Sequence, residues 1–331
     1  MSDATATVAR SPWLTAAGWR QLFRERPIIP LVGLLALLVG VSELVRPGIV
    51  DAGWAGVILR AAVPLAILAA CQTLTMLTGG IDLSVGQIAS MSGFLLATLV
   101  GDQGLPVAIA VALAASALAG LANGIGVGVF RVHPLIMTLG MTFIVFGLAN
   151  VWQLVMVQTG AGVPEELRWL GAGTSFGVVP NSLVLFVPLA ALILLTLHRS
   201  GYGRLLYAIG DNPVAARLSG ARAWQVLIIL YVISGVLAGI AGLLYSGLTN
   251  VASVTLANSA LLPSVAAAVI GGTSILGGRG GFGGTIVGAL ILSVVSSLLS
   301  SLGQPESVRQ ILFGAIIVLV AAAYSRVTAE S

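Results

Sequence analysis

Lysine is missing altogether: all fifteen basic side chains in these 331 residues are Arg. A phosphate-cradling loop of the Gly-x-x-x-x-Gly-Lys type needs its lysine to reach the nucleotide. This chain carries no such loop, and no lysine Schiff base is open to it either. Cysteine is almost as scarce. Cys71 stands alone inside an apolar run, which excludes a disulfide framework or a cysteine metal cluster. It reads as a small buried apolar filler. Charge is thin everywhere, at 8% of residues, where a soluble domain carries about 25%. No Asp, Glu or Arg falls between Gln103 and Phe130, between Val132 and Pro164, or between Ala223 and Gly278. Too little polar surface remains to coat a water-soluble body.

What is present is apolar length. A spanning helix needs about 20 apolar residues, so the last of those gaps can hold two. Strands of about 10 alternating residues, the mark of a membrane barrel, are not visible. The chain is therefore predicted to be an all-α polytopic membrane protein. Apolar run length places about ten spans, at 28–45, 56–78, 83–100, 105–129, 134–156, 180–198, 224–247, 261–276, 283–302 and 308–324. The eighth is short and bounded by glycine, as a broken or re-entrant segment would be.

The arginines orient these spans. With the N-terminus inside, eleven of them fall on the inner side: Arg10, Arg20, Arg24, Arg26, Arg131, Arg199, Arg204, Arg217, Arg222, Arg279 and Arg326. Arg46, Arg60, Arg168 and Arg309 fall outside. That asymmetry is what the positive-inside rule expects, with both termini cytoplasmic. The same distribution accounts for the basic pI without nucleic acid, because the arginines flank spans and do not cluster with aromatics. Residues 1–27 read as a retained cytoplasmic tail, partly amphipathic around Trp13, Trp19, Leu22 and Phe23. Residues 28–326 form the membrane domain, and 327–331 a short cytoplasmic tail.

One polar island, 199–223, interrupts the apolar chain on the predicted inner side. Gly203 to Ile209 is compatible with a helix that Gly210 ends. Asn212 is a good N-cap, Pro213 suits the first helical position and Gly220 the stop. Two short helices follow from this, packed through Leu205, Leu206 and Ile209 on the first and Val214 and Leu218 on the second. A loop that only fixed topology would need no such capping, so the island reads as a docking element.

Two other features bear on a solute path. In MLTGGIDLSVGQ, Met76 to Gln87, Asp82 has a span on each side. It reads as a carboxylate at a helix start near the membrane face, held by Ser84 and the free amides there; its glycines also suit a gate. Gln72, Thr73, Thr75, Asn123, Asn150 and Gln153 are neutral polar residues inside apolar runs. They either glue helices or line a path. Neutral amides and hydroxyls suit a polyhydroxylated solute better than an ion, and no carboxylate is expected at depth. A proton- or sodium-coupled transporter would want a titratable group there, and only Arg60 near the start of the second span is a candidate. His133 and His198 fall at predicted span ends and are not placed for intramembrane proteolysis.

LTGGIDLSVG at Leu77 to Gly86, HPLIMTLGM at His133 to Met141, GYGRLLYAIGDNPVAARLSG at Gly201 to Gly220 and AAVIGGTSILGGRG at Ala267 to Gly280 follow one another in this order. Together they resemble the permease subunit of bacterial ATP-binding-cassette importers for monosaccharides of the ribose, xylose and galactose type. The resemblance covers nearly everything beyond the N-terminal tail. It implies an inner-membrane, multi-pass, non-enzymatic subunit. A periplasmic binding protein would deliver solute, a second permease subunit would complete the path, and a cytoplasmic ATPase subunit would bind ATP and Mg, leaving this chain without a cofactor. It also implies that the coupling residues are Gly201, Tyr202, Gly203, Arg204, Gly210, Asn212, Pro213, Ala215, Ala216, Arg217, Leu218, Ser219 and Gly220. Many sugar permeases of this type have an acidic pair in a Glu-Leu-Asp pattern just before the AAVIGGTS segment. Leu261, Leu262 and Pro263 stand there instead, a departure that bears on the solute and on the second permease. Related permeases also carry autoinducer-like or modified sugars.

Overall fold

A computed structural model describes residues 28–156 and 162–329. The amphipathic reading of the N-terminal tail and the last residues of the C-terminal tail lie outside the described residues. The helices are α1 (Ile28–Val45), α2 (Ala52–Leu77), α3 (Val85–Gln103), α4 (Leu105–Gly128), α5 (Pro134–Met156), α6 (Glu165–Gly171), α7 (Leu183–Arg199), α8 (Gly201–Asp211), α9 (Pro213–Leu218), α10 (Ala223–Thr249), α11 (Leu261–Ile270), α12 (Phe282–Ser301) and α13 (Glu306–Ala329). The strands among the described residues are a two-residue antiparallel pair, Thr174–Ser175 with Val179–Pro180.

Among the described residues, α1 to α5, α10 and α12 are long and apolar enough to cross a membrane. The bent pair α7 and α8 would make an eighth span if counted as one, but its two halves meet at 67°. Seven to eight candidate spans thus stand where the apolar runs predicted about ten. The last gap in the charge pattern, Ala223 to Gly278, explains part of the difference. From Asn250, which ends α10 in a left-handed turn (φ 54°), the chain runs back without a long helix. The Gln87 side chain donates to the Val254 carbonyl at 2.8 Å, and the Ala257 amide donates to Ser90 Oγ at 2.9 Å. These bonds lay the non-helical stretch along the start of α3. Only then does α11 begin, and it lasts ten residues before Gly271. Non-helical backbone of this kind is tolerated in an apolar bundle where protein covers it and satisfies its polar groups.

α10 is the axis of the fold. It packs on α4, α3 and α2, and Leu230, Tyr231 and Leu244 on it are fully buried. The α4–α10 approach depends on small residues. A Cβ on Gly120 would run into the Tyr231 carbonyl, and one on Gly235 into the Ser116 carbonyl. Without a hydrophobic force between helices in lipid, such close packing is what holds them together.

Four stretches gather at one end of the bundle. Thr78 and Gly79, residues from 127–134 such as Arg131 and His133, residues from 209–227 such as Gly210 and Trp224, and Leu276 line one open cleft of about 900 Å³. These are the stretches that alternate crossing puts on a single side. Gly120→Val should therefore separate α4 from α10 and lower stability by at least the 1–3 kcal/mol typical of about one overpacked site. Gly140→Val on α5 has open space around it and should leave the thermal unfolding midpoint of the detergent-purified protein nearly unchanged. Equal midpoints for the two variants would contradict the close approach.

Candidate coupling surface and buried polar cluster

The island folds as the capping pattern predicts at Asn212 and departs from it at Gly210. Ser200 turns the corner: its hydroxyl donates to the Thr196 carbonyl of α7 (2.6 Å) and accepts from the Gly203 amide of α8 (3.0 Å). The sequence reading passed over Ser200, although a serine just after Arg199 is a good N-cap signal. α8 then continues through Gly210 to Asp211. Gly210 does not stop the helix. A Cβ there would overlap the Leu77 carbonyl and the Gly278 amide, so its role is close approach to the end of α2. Asn212 Oδ1 accepts from the amides of Val214 (3.1 Å) and Ala215 (2.9 Å) and starts α9. Gly220, with φ of +88°, follows its end.

The predicted packing between the two short helices holds for one side only. Leu206 and Ile209 are buried, together with Gly203 and Ala216. Val214 and Leu218 do not pack on α8; they are 55% and 85% exposed. The reason is that α9 turns its alanine inward and its larger apolar side chains out. Arg204, Arg217 and Arg222 are exposed as well, and Arg217 Nε donates to the Pro213 carbonyl at 3.0 Å. Among the described residues the ion pairs are Arg168–Glu165 and Arg309–Glu306, both elsewhere. This end therefore presents unpaired positive charge around a bare leucine.

Two bonds pin the inner side of α8, and a third joins the stretches it rests on. The Gly278 amide donates to the Leu77 carbonyl at 3.0 Å. The Tyr207 hydroxyl donates to the Gly280 carbonyl at 2.9 Å, and the Tyr202 hydroxyl to the Val226 carbonyl at 3.1 Å. The GGTSILGGRGG stretch thus forms a brace between α8 and the end of α2.

The second constellation lies a short way into the bundle. Asp82 precedes α3, as expected, and both its Oδ1 partners are on Ser84: the amide at 3.0 Å and the hydroxyl at 2.6 Å. It does not sit at an exposed helix end, however. It is 1% exposed, and its Oδ2 accepts from Ser234 Oγ at 2.9 Å. Gln72 lies about 8 Å and Ser234 roughly 16 Å along their helices from the α2 and α10 ends, at 1.5 Å per residue. The carboxylate is therefore enclosed by protein, because the loop after α2 folds inward.

Gln72 holds that loop: its Nε2 donates to the Asp82 carbonyl at 2.8 Å and its Oε1 accepts from the Asp82 amide at 3.3 Å. Asn123 Nδ2 donates to Ser84 Oγ at 2.9 Å. From α5, Thr138 Oγ1 accepts from the Leu83 amide at 3.0 Å, and Thr142 Oγ1 donates to the Leu83 carbonyl at 3.1 Å. Gln72, Asp82 and Asn123 thus come together, joined by Ser84, Thr138, Thr142 and Ser234. Ser84 holds Asp82 as the sequence suggested; Thr138, Thr142 and Ser234 were missed, and single hydroxyls in apolar runs were the available signal. Thr73 and Thr75 turn elsewhere, to Thr285 and to their own helix. Asn150 and Gln153 are on a different face. Asn150 Nδ2 donates to the Phe146 carbonyl of its own helix at 2.7 Å, and Gln153 is exposed beside the bare Val151 and Leu154. Cys71 is buried as expected, its thiol against the Ser234 carbonyl at 3.3 Å.

Residues 55–321 match the family described as branched-chain amino acid transport system / permease component. The chain is 36% identical over 321 residues to the ribose import permease protein of Escherichia coli strain K12, covering 96% of this chain and 97% of that one. It is 33% identical over 301 residues to the fructose import permease protein of Rhizobium meliloti, 89% of this chain and 84% of the other. The autoinducer 2 import system permease protein of Escherichia coli O9:H4 is 32% identical over 297 residues, 87% and 85% of the two chains. No solved structure matches.

Removing the Gln72 amide should orphan both the amide and the carbonyl of Asp82. Gln72→Leu is expected to cost about 1–3 kcal/mol for each buried group left unpaired. Asp82→Asn keeps one acceptor oxygen for Ser84 and should cost less. Thermal unfolding of the purified variants checks the order; a Gln72→Leu protein as stable as the parent would refute it.

Proposed function

We infer, since this chain belongs to the branched-chain amino acid transport system / permease component family, that it is the membrane-spanning subunit of an ATP-driven importer for a sugar or sugar-like solute. It lies in the bacterial inner membrane and catalyses no reaction itself. The relatives that it matches along most of its length are named for import of ribose, fructose and autoinducer 2. A binding protein outside the inner membrane hands solute over, and an ATPase subunit in the cytoplasm, where ATP and Mg bind, drives the transfer. The topology proposed is about ten crossings with both termini inside, which the arginine asymmetry supports. In it α13 and the short α11 complete the count.

The observation that carries the reading is the two-sided character of the α8–α9 pair. One side is pinned to the end of α2 through Gly210, Leu77 and Gly278; the other exposes Val214, Leu218 and Arg217. The apolar pair fills a groove on the ATPase and Arg217 meets a carboxylate at its rim. A push on α9 passes through α8 to the end of α2, and from there to the loop of 78–84 with its Asp82 cluster. That loop is the gate element. A second permease copy faces the bare side of α5, where Asn150 and Gln153 stand beside the path between the two subunits. Neutral amides on that face suit a polyhydroxylated solute.

Uptake by vesicles that contain this chain, with binding protein and solute outside, should require both ATP and the ATPase subunit. Uptake driven by an ion gradient alone would defeat the reading. Within the complex, Leu218→Ala should weaken co-purification with the ATPase by about 2 kcal/mol, the scale of a buried interface anchor, or roughly 30-fold. Arg217→Ala, at the rim, should weaken it less. Neither should alter delivery by the binding protein. Full assembly and uptake in Leu218→Ala would show α9 to be only a loop.

A further inference from the structure

An apolar groove of about 280 Å³ runs between α2, α7 and α10, lined chiefly by Leu74, Leu189, Ile193, Leu230, Ile233 and Ile240. Along α10 it extends from Leu230 to Ile240, about 15 Å at 1.5 Å per residue. That is half the roughly 30 Å hydrocarbon thickness of a bilayer. The groove ends at Thr196 and Tyr202. A second, more polar notch begins there, lined by Leu205, Ser219, Gly220, Arg222, Gln225 and Val226. The two cavities abut across one hydrogen bond, since Tyr202, a wall of the groove, donates to the carbonyl of Val226, a wall of the notch. Arg222 is exposed and has no ion-pair partner among the described residues. Arg199 ends α7 one turn beyond Thr196. The arrangement is thus one leaflet's depth of apolar channel with a cationic, hydrogen-bonding mouth.

We propose that this composite site holds one anionic phospholipid of the leaflet on the α8–α9 side, an acyl chain in the groove and the phosphate at Arg222 and Gln225. Charge complementarity selects this occupant: a basic pocket between membrane helices at the membrane surface attracts anionic headgroups, at about 1 kcal/mol per arginine. A second protein helix would fill the groove but leave Arg222 unmatched. Bound there, the lipid bridges α7, α10 and the start of α8. It stiffens the corner at Ser200 from which the α8–α9 pair is hung. The proposal needs only that the chain sits in a bilayer, and it stands independently of the solute.

The test is native mass spectrometry of the purified full chain, delipidated and then supplied with phosphatidylglycerol or phosphatidylcholine. The wild type should retain one phosphatidylglycerol per chain and no phosphatidylcholine. Arg222→Gln should reduce retention about fivefold, the weight of one arginine. Ile233→Trp fills the groove from α10 and should abolish retention. Leu192→Trp, on the exposed α7 edge, does the same should the first variant misfold. Equal retention of both lipids, or full retention by Arg222→Gln, would overturn the site. So would groove variants that change the oligomer mass and leave the lipid count unchanged, for the groove would then lie between copies of the chain. Inorganic phosphate that binds as firmly as the lipid would overturn it too.

Discussion

The side-chain amide of Gln72, closed on both the amide and the carbonyl of Asp82, lets a non-helical loop exist inside an apolar bundle. Backbone polar groups in such surroundings cost several kcal/mol each when unpaired. With that closure made, the loop after α2 can turn inward and start α3 within the protein. Its remaining groups are met in turn: Leu83 by Thr138 and Thr142, Ser84 by Asn123, and the Asp82 carboxylate by Ser84 and Ser234. Helices α2, α4, α5 and α10 each send a side chain to the one short stretch that leads into α3. A connected network of this kind favours one arrangement of these helices, since breaking a member leaves another buried group unpaired.

The same stretch is where the membrane core meets the surface element. The Leu77 carbonyl, at the end of α2, receives the Gly278 amide and lies against Gly210 of α8. Only glycine leaves room for that contact. The α8–α9 pair is therefore held at several points: at Ser200, at Gly210, and through the hydroxyls of Tyr202 and Tyr207. A rigid mounting passes displacement on, where a floppy one would absorb it. The outward side carries no such constraint, and Leu218 is left bare.

Much of this architecture was legible from residue order. The apolar runs gave α1 to α5, α10 and α12 within a few residues, because twenty apolar side chains in a row have one stable form in lipid. Asn212, Pro213 and Gly220 marked α9, because capping is a local interaction between near neighbours. Span eight looked short, and α11 is short. What misled was Gly210, whose signal is the same for a helix stop and for a helix pressed against another backbone. The corner at Ser200 was missed because the apolar run on one side and the glycines on the other drew the boundary between them.

By itself the sequence determined that the chain is a helical membrane protein, and where its arginine-bearing island begins and ends. These follow from composition, run length and caps, each of which acts over a few residues. Only the tertiary structure decided which polar residues belong together. Gln72, Asn123 and Asp82 met, while Asn150 and Gln153 stayed on an open face of α5. It also enclosed Asp82 in protein, where a linear reading had given only a helix start. The depth of a loop depends on whether other helices offer its backbone partners, and those partners, Thr138, Thr142 and Ser234, lie far from it along the chain.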